Sequence, residues 1–119
     1  MTTKDVEFIG DATYGALKFS NGALICFRRL SVNVTFDENG KIGSLYRCVL
    51  QNSPFGSFKV PFVAPPTVSF ATADQDDYSF CFPYASRRDS NSIMRLDLLR
   101  PNATSGSATI HYTAIGRWK

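Results

Sequence analysis

The stretch from Phe58 to Thr72, FKVPFVAPPTVSFAT, restricts what this chain can fold into more than any other. Phe58, Val60 and Phe62 alternate with Lys59 and Pro61, and beyond Ala64-Pro65-Pro66 the residues Val68 and Phe70 alternate with Thr67, Ser69 and Ala71. A period of two on both sides predicts two extended segments, each with one apolar face. Pro65 and Pro66 fix φ and remove two backbone donors, so the chain must bend between them. The expected product is a β corner whose Phe58, Val60, Phe62, Val68 and Phe70 enter a core. Removing the Phe70 ring is expected to cost about 3–5 kcal/mol.

The flanking chain reads as further strands. Tyr14 to Phe19 alternates, and Asn21-Gly22 supplies the positive φ of a type I′ hairpin turn into Ala23–Phe27. Arg28-Arg29 reads as a break. Leu30, Val32, Val34 and Phe36 then alternate with polar residues up to a turn cluster, Asp37-Glu38-Asn39-Gly40. Residues 42–51 return as a strand with Tyr46, Cys48 and Leu50 on one face, followed by a loop carrying Phe55. Past the corner come an acidic loop at 73–77 and an aromatic stripe, Tyr78, Phe80, Phe82 and Tyr84. A polar loop at 85–92 follows, then a half-buried strand with Met94, Leu96 and Leu98. A polar turn at 100–106 leads to a last strand, Ser107 to Ile115, with Ile110, Tyr112 and Ala114 on one face. No helical period occurs anywhere, so the expected fold is all-β, an antiparallel sandwich of about 6–8 strands. Residues 1–12 read as a lead-in and 13–119 as the sandwich domain.

Composition excludes several classes of function. With 119 residues, 44% hydrophobic and 19% charged, the chain has enough apolar surface for one core. A net charge of +3, with basic residues scattered apart from Arg28-Arg29 and Arg87-Arg88, gives no basic face for nucleic acid. No apolar run approaches the roughly 18 residues of a membrane span, and the first residues lack the apolar core of a signal peptide. Membrane insertion is not expected. Cys26, Cys48 and Cys81 lie in apolar runs without CxxC spacing, which predicts buried free thiols and folding in a reducing cytoplasm. The sequons at Asn33 and Asn102 are short enough to arise by chance.

Catalysis has no constellation to rest on. His111 is the only histidine and has no serine or acid in a recognisable triad arrangement. Asp74, Asp76, Asp77 and Asp89 sit in polar segments, where a raised pKa suited to glycosidic acid catalysis is not expected. Asp74-x-Asp76-Asp77 opens like a calcium loop but lacks its glycine and closing glutamate. No metal or cofactor is expected.

Saccharide recognition needs an aromatic face with nearby acids, amides and arginines. The chain offers that mixture in Asp76, Asp77 and Tyr78, and in Tyr84, Arg87, Arg88 and Asp89. These two groups fall at opposite ends of one predicted strand. Trp118, the single tryptophan, suits three roles: covering the end of the core first, then anchoring a subunit interface, then stacking on a sugar.

Three segments, in order, carry a resemblance: YGALKFSNGALIC at Tyr14–Cys26, FKVPFVAPPTVSF at the corner, and YTAIGRWK at Tyr112–Lys119. Together they resemble the C-terminal receptor-binding modules of phage and prophage tail-fibre and baseplate proteins, and the corner and layout are similar to the H-type lectin family. The resemblance implies a non-enzymatic, lectin-like head that assembles as a homotrimer on an upstream tail-fibre shaft. It implies a partner in bacterial surface polysaccharide and a place at the tip of the virion tail, after folding in the host cytoplasm. The alternatives it leaves are a structural cap or trimerisation module without receptor contact, and a bacterial H-type lectin.

Overall fold

The computed structural model describes residues 5–51, 55–73, 82–100 and 104–119; the side chains of 37–40, 51, 73, 82, 84–85 and 104–105 fall outside that description. Among the described residues every regular element is a strand: β1 Val6–Gly10, β2 Tyr14–Phe19, β3 Ala23–Ile42, β4 Leu45–Gln51, β5 Thr67–Ala73, β6 Phe82–Arg88, β7 Ile93–Arg100 and β8 Thr104–Arg117. All pairings are antiparallel. One sheet runs β1-β2-β3-β8-β5, and the other runs β3-β4-β7-β6. The all-β sandwich expected from the alternation is therefore the observed architecture, with extents of 52 × 25 × 19 Å.

Long β3 belongs to both sheets. Its first part lies between β2 and β8, in a ladder with β8 from Ala23↔Arg117 to Phe36↔Thr104, and its end pairs with β4. Leu24, Cys26, Val32, Val34 and Phe36 point one way and are buried, as are Ala108, Ile110, Tyr112 and Ala114 of β8. Cys48 of β4 and Leu96 and Leu98 of β7 complete the same apolar cluster from the second sheet. Cys26 and Cys48 are buried, as expected; burial pushes the Cys26 thiol above its ordinary value, and Cys81 lies outside the described residues.

Four expectations about strand boundaries are corrected. The β2–β3 loop is Ser20-Asn21-Gly22, one residue longer than a type I′ turn. Gly22 N–H donates to Phe19 O at 3.0 Å, and Gly22 takes φ 102°. Arg28-Arg29 does not break β3. Arg28 occupies an inward position opposite Tyr112, and its guanidinium is satisfied by Phe55 O and the Tyr14 ring face, 4.5 Å away. Residues 37–40 are strand rather than turn: β3 continues to Ile42 across a register shift against β4, and the reversal falls at Gly43, with φ 58°. The segment 85–88, expected as loop, belongs to β6.

The corner is half right. Thr67–Ala73 is β5, paired to β8, but residues 58–62 join no ladder. With Pro61, Pro65 and Pro66 unable to donate, this segment crosses the end of the sandwich as a strap. Its amides bond outward instead: Phe58 N to Asn91 O at 2.7 Å, Phe62 N to Ser90 O at 2.8 Å, and Val63 N to Arg117 O at 2.9 Å. Phe55, Phe58 and Phe62 are nonetheless buried, and Val60, Val68 and Phe70 are half-buried against them. Their rings and that of Tyr112 form a cluster of edge-on contacts, Phe58–Phe62 at 5.1 Å and Phe58–Tyr112 at 5.8 Å. Phe62 sits where a Cβ on Gly116 would meet its Cδ1 at 2.8 Å, so the strap approaches β8 only because that residue is glycine. In the segment read as a lead-in, Val6–Gly10 pairs with β2.

Candidate functional site

Alternation along β7 places Arg95, Asp97 and Leu99 on the face of the second sheet that looks away from Leu96 and Leu98. Register does the rest. Arg87 of β6 stands directly opposite Arg95, and Arg47 of β4 stands opposite Leu99. Three arginines thus share one face with Asp97, and Asp37 of β3 stands opposite Arg47. Asp97 is buried, and a buried carboxylate needs partners. Arg95 supplies them as a fork, Nε donating to Oδ1 at 2.7 Å and Nη2 to Oδ2 at 3.1 Å, while Arg47 Nη1 lies 3.9 Å from Oδ2. The bond to Asp97 holds the Arg95 guanidinium still more firmly protonated.

Beside this pair opens a cavity of about 260 Å³ lined by Ser86, Arg87, Arg95 and Asp97. Arg87 is exposed there and makes no hydrogen bond or ion pair among the described residues. Arg47 Nε is buried without a hydrogen-bond partner among them. The groove is cationic, rigid on the Arg95 side and open on the Arg87 side.

Of the residues singled out in the sequence, Arg87 lines this cavity. Arg88 turns elsewhere, its Nε donating to Pro66 O at 2.9 Å and so tying β6 to the strap. Asp89 is engaged in the β6–β7 turn: one carboxylate oxygen accepts from Asn91 N and Ser92 N, both at 2.8 Å, which holds its carboxyl below the ordinary carboxylate range. Trp118 is half-buried at the other sheet, its Nε1 donating to Phe19 O at 2.7 Å and its ring under Lys18 Nζ at 4.2 Å. It covers the end of the core, with one ring face beside a lysine. Tyr84 lies on β6 with its side chain outside the description, and Asp76, Asp77 and Tyr78 lie outside the described residues. Arg95, Asp97 and Arg47 were missed by sequence reading. The available signal was an arginine and an acid two apart on a strand, hence on one face.

The outer face of the first sheet is different in kind. Phe8, Leu17, Ile25 and Ile115 form one row across four strands, with Phe8 and Ile115 each 55% exposed. Next to it Thr13, Arg29, Ser31 and Thr109 line a polar hollow, and His111 lies between Arg29 and Ala71. Among the described residues no helix is long and apolar enough to cross a membrane, and no group of His, Cys, Asp and Glu is placed to hold a metal.

Comparison with solved structures gives the fold a counterpart. The N-truncated R1-type pyocin tail fibre superposes with a TM-score of 0.62 at 15% identity, covering 93% of this chain and 84% of that one. The two chains share a fold. The Gp54 tailspike of Acinetobacter baumannii bacteriophage AP22, solved in complex with A. baumannii capsular saccharide, matches at 13% identity and a TM-score of 0.48. That match covers 78% of this chain and 17% of the tailspike, too distant to bear on this molecule. No protein-family model matches the chain, and neither does any curated protein.

Proposed function

We propose that this chain is the lectin-like receptor-binding head of a phage or prophage tail protein, recognising saccharide on a bacterial surface without cleaving it. In this reading it works as a homotrimer on an upstream fibre shaft, at the tip of the virion tail. The observation that carries the reading is the fold shared with a tail fibre over nearly the whole chain. The three ordered segments at Tyr14–Cys26, Phe58–Phe70 and Tyr112–Lys119 point the same way. Binding rather than cleavage is the reading for Asp97, whose two oxygens each accept a bond from Arg95 in a structural ion pair. Shallow sites bind weakly one at a time, and three copies would raise avidity without new contacts.

The test has two parts. Light scattering is expected to give three times 13.2 kDa. The verified trimer is then expected to bind glycans from a susceptible bacterium and to block phage adsorption. Background binding on a broad glycan array, together with unimpaired adsorption, would sink the receptor reading.

One observation favours a second reading, a trimerisation cap without receptor contact: the exposed apolar row Phe8–Leu17–Ile25–Ile115 is suited to self-association. A cap would trimerise equally well yet leave adsorption untouched.

A further inference from the structure

We infer that the groove between β6 and β7 takes an anionic saccharide, its carboxylate or phosphate held between the Arg87 and Arg95 guanidinium groups; the inference rests on the receptor-binding reading and names the ligand class. The first argument is charge. Arg95 is forked to the buried Asp97 and Arg47 stands opposite Asp37, so Arg87 is the arginine of this face left without an acid partner among the described residues. Like charges directly opposite on neighbouring strands destabilise a sheet, and Arg87 stands directly opposite Arg95. Asp97 offsets the charge of Arg95, and no ion pair joins it to Arg87; an oxyanion between the two guanidinium groups would offset the charge that remains.

The second argument is preparation. Asp97 uses Nε and Nη2 of Arg95, which fixes the plane of the guanidinium while leaving its remaining donors to an incoming ligand. A fork so aligned gives up less side-chain freedom on binding than a loose lysine would. The third argument is size. A cavity of about 260 Å³ is below the usual range for a whole drug-sized ligand, and suits one sugar residue of a polymer whose neighbours stay in solvent.

The test uses the trimer in solution and three probes: a galacturonic acid oligomer, a phosphorylated mannan oligosaccharide and a neutral dextran oligomer. At least one anionic probe is expected to bind and dextran is not, and which one binds distinguishes carboxylate from phosphate. Arg87→Ala is expected to weaken that binding about tenfold or more, as loss of a charge-assisted bond requires. Arg29→Ala removes the same charge from the other sheet and is expected to leave it unchanged. Raising salt from about 0.05 to about 0.5 M should weaken the wild type more than Arg87→Ala. Equal losses in the two variants would mean diffuse attraction, and the inference falls. If the trimer binds whole-cell glycan and blocks adsorption while neither anionic probe competes, the receptor reading stands and this assignment is overturned. If no surface glycan binds at all, both are overturned.

Discussion

Two regions with the same sequence signature fold differently. The β3–β8 ladder and the strap at residues 58–62 both alternate apolar with polar residues, yet only the first forms paired strands. The strap still buries Phe58 and Phe62 as fully as β3 buries Val32 and Phe36. What separates them is the supply of backbone donors. In β3 every amide is free to pair, whereas Pro61, Pro65 and Pro66 leave the strap with gaps where a ladder would need N–H groups. Alternation therefore reports which side chains go inward, and the prolines decide whether the backbone joins a sheet.

The largest expected effect sets the two regions directly against each other. Phe58→Ala should cost about 3–5 kcal/mol; for Phe70→Ala, expected from the sequence to cost as much, the partly exposed ring lowers the figure to about 2 kcal/mol. Urea denaturation of both variants checks this. A greater loss at Phe70, which sits in a ladder, would mean the strap is an ornament on a sheet core. Next comes the joint between the regions. Gly116→Ala brings a methyl group to 2.8 Å from Phe62 Cδ1 and should cost about 2 kcal/mol, with exchange of the Val63 amide accelerated. Arg28→Leu leaves Phe55 O without its charged donor and should cost about 1.5 kcal/mol by thermal melt.

The smallest effect concerns the turn that receives the strap. Asp89 accepts from Asn91 and Ser92 amides, while the carbonyls of Ser90 and Asn91 accept from the strap. Its carboxyl is held below the ordinary value of 3.8, so its stabilising share is present above about pH 4 and lost as pH falls through the lower folded-state value. Between pH 5 and about 3 the wild type should lose stability more steeply than Asp89→Asn. Asp11, depressed by the same kind of bonds to Thr13 and Tyr14, should keep some slope in the variant. Identical acid limbs would show that the Asp89 carboxylate does not stabilise the turn.

Much of the sandwich was legible because burial on a strand follows parity, and parity is written in the sequence at Val32, Val34, Phe36, Ile110, Tyr112 and Ala114. Boundaries were less so. Arg28 looked like a break because nothing local reveals that Phe55 O and the Tyr14 ring wait for its guanidinium. Asp37 to Gly40 looked like a turn because turn chemistry is local, whereas the pairing with β4 that extends the strand is not. The site divides in the same way. Arg87 was visible as a charge near an aromatic stripe; Arg95, Asp97 and Arg47 become a cluster only once three strands are in register.

The joining of β3 to β8 also sets a schedule. Its partners are separated by 68 to 94 positions, from Phe36 with Thr104 to Ala23 with Arg117. A ribosome delivering about 5–20 residues per second would release β3 several seconds before β8. In that interval the central strand holds only its β2 and β4 pairings, and the backbone groups of Ala23 to Phe36 that will pair with β8 wait without a companion. Folding of this domain is therefore paced by delivery of its last strand rather than by its first hairpin, the regime in which non-local sheets fold slowly and association of half-made chains competes with completion.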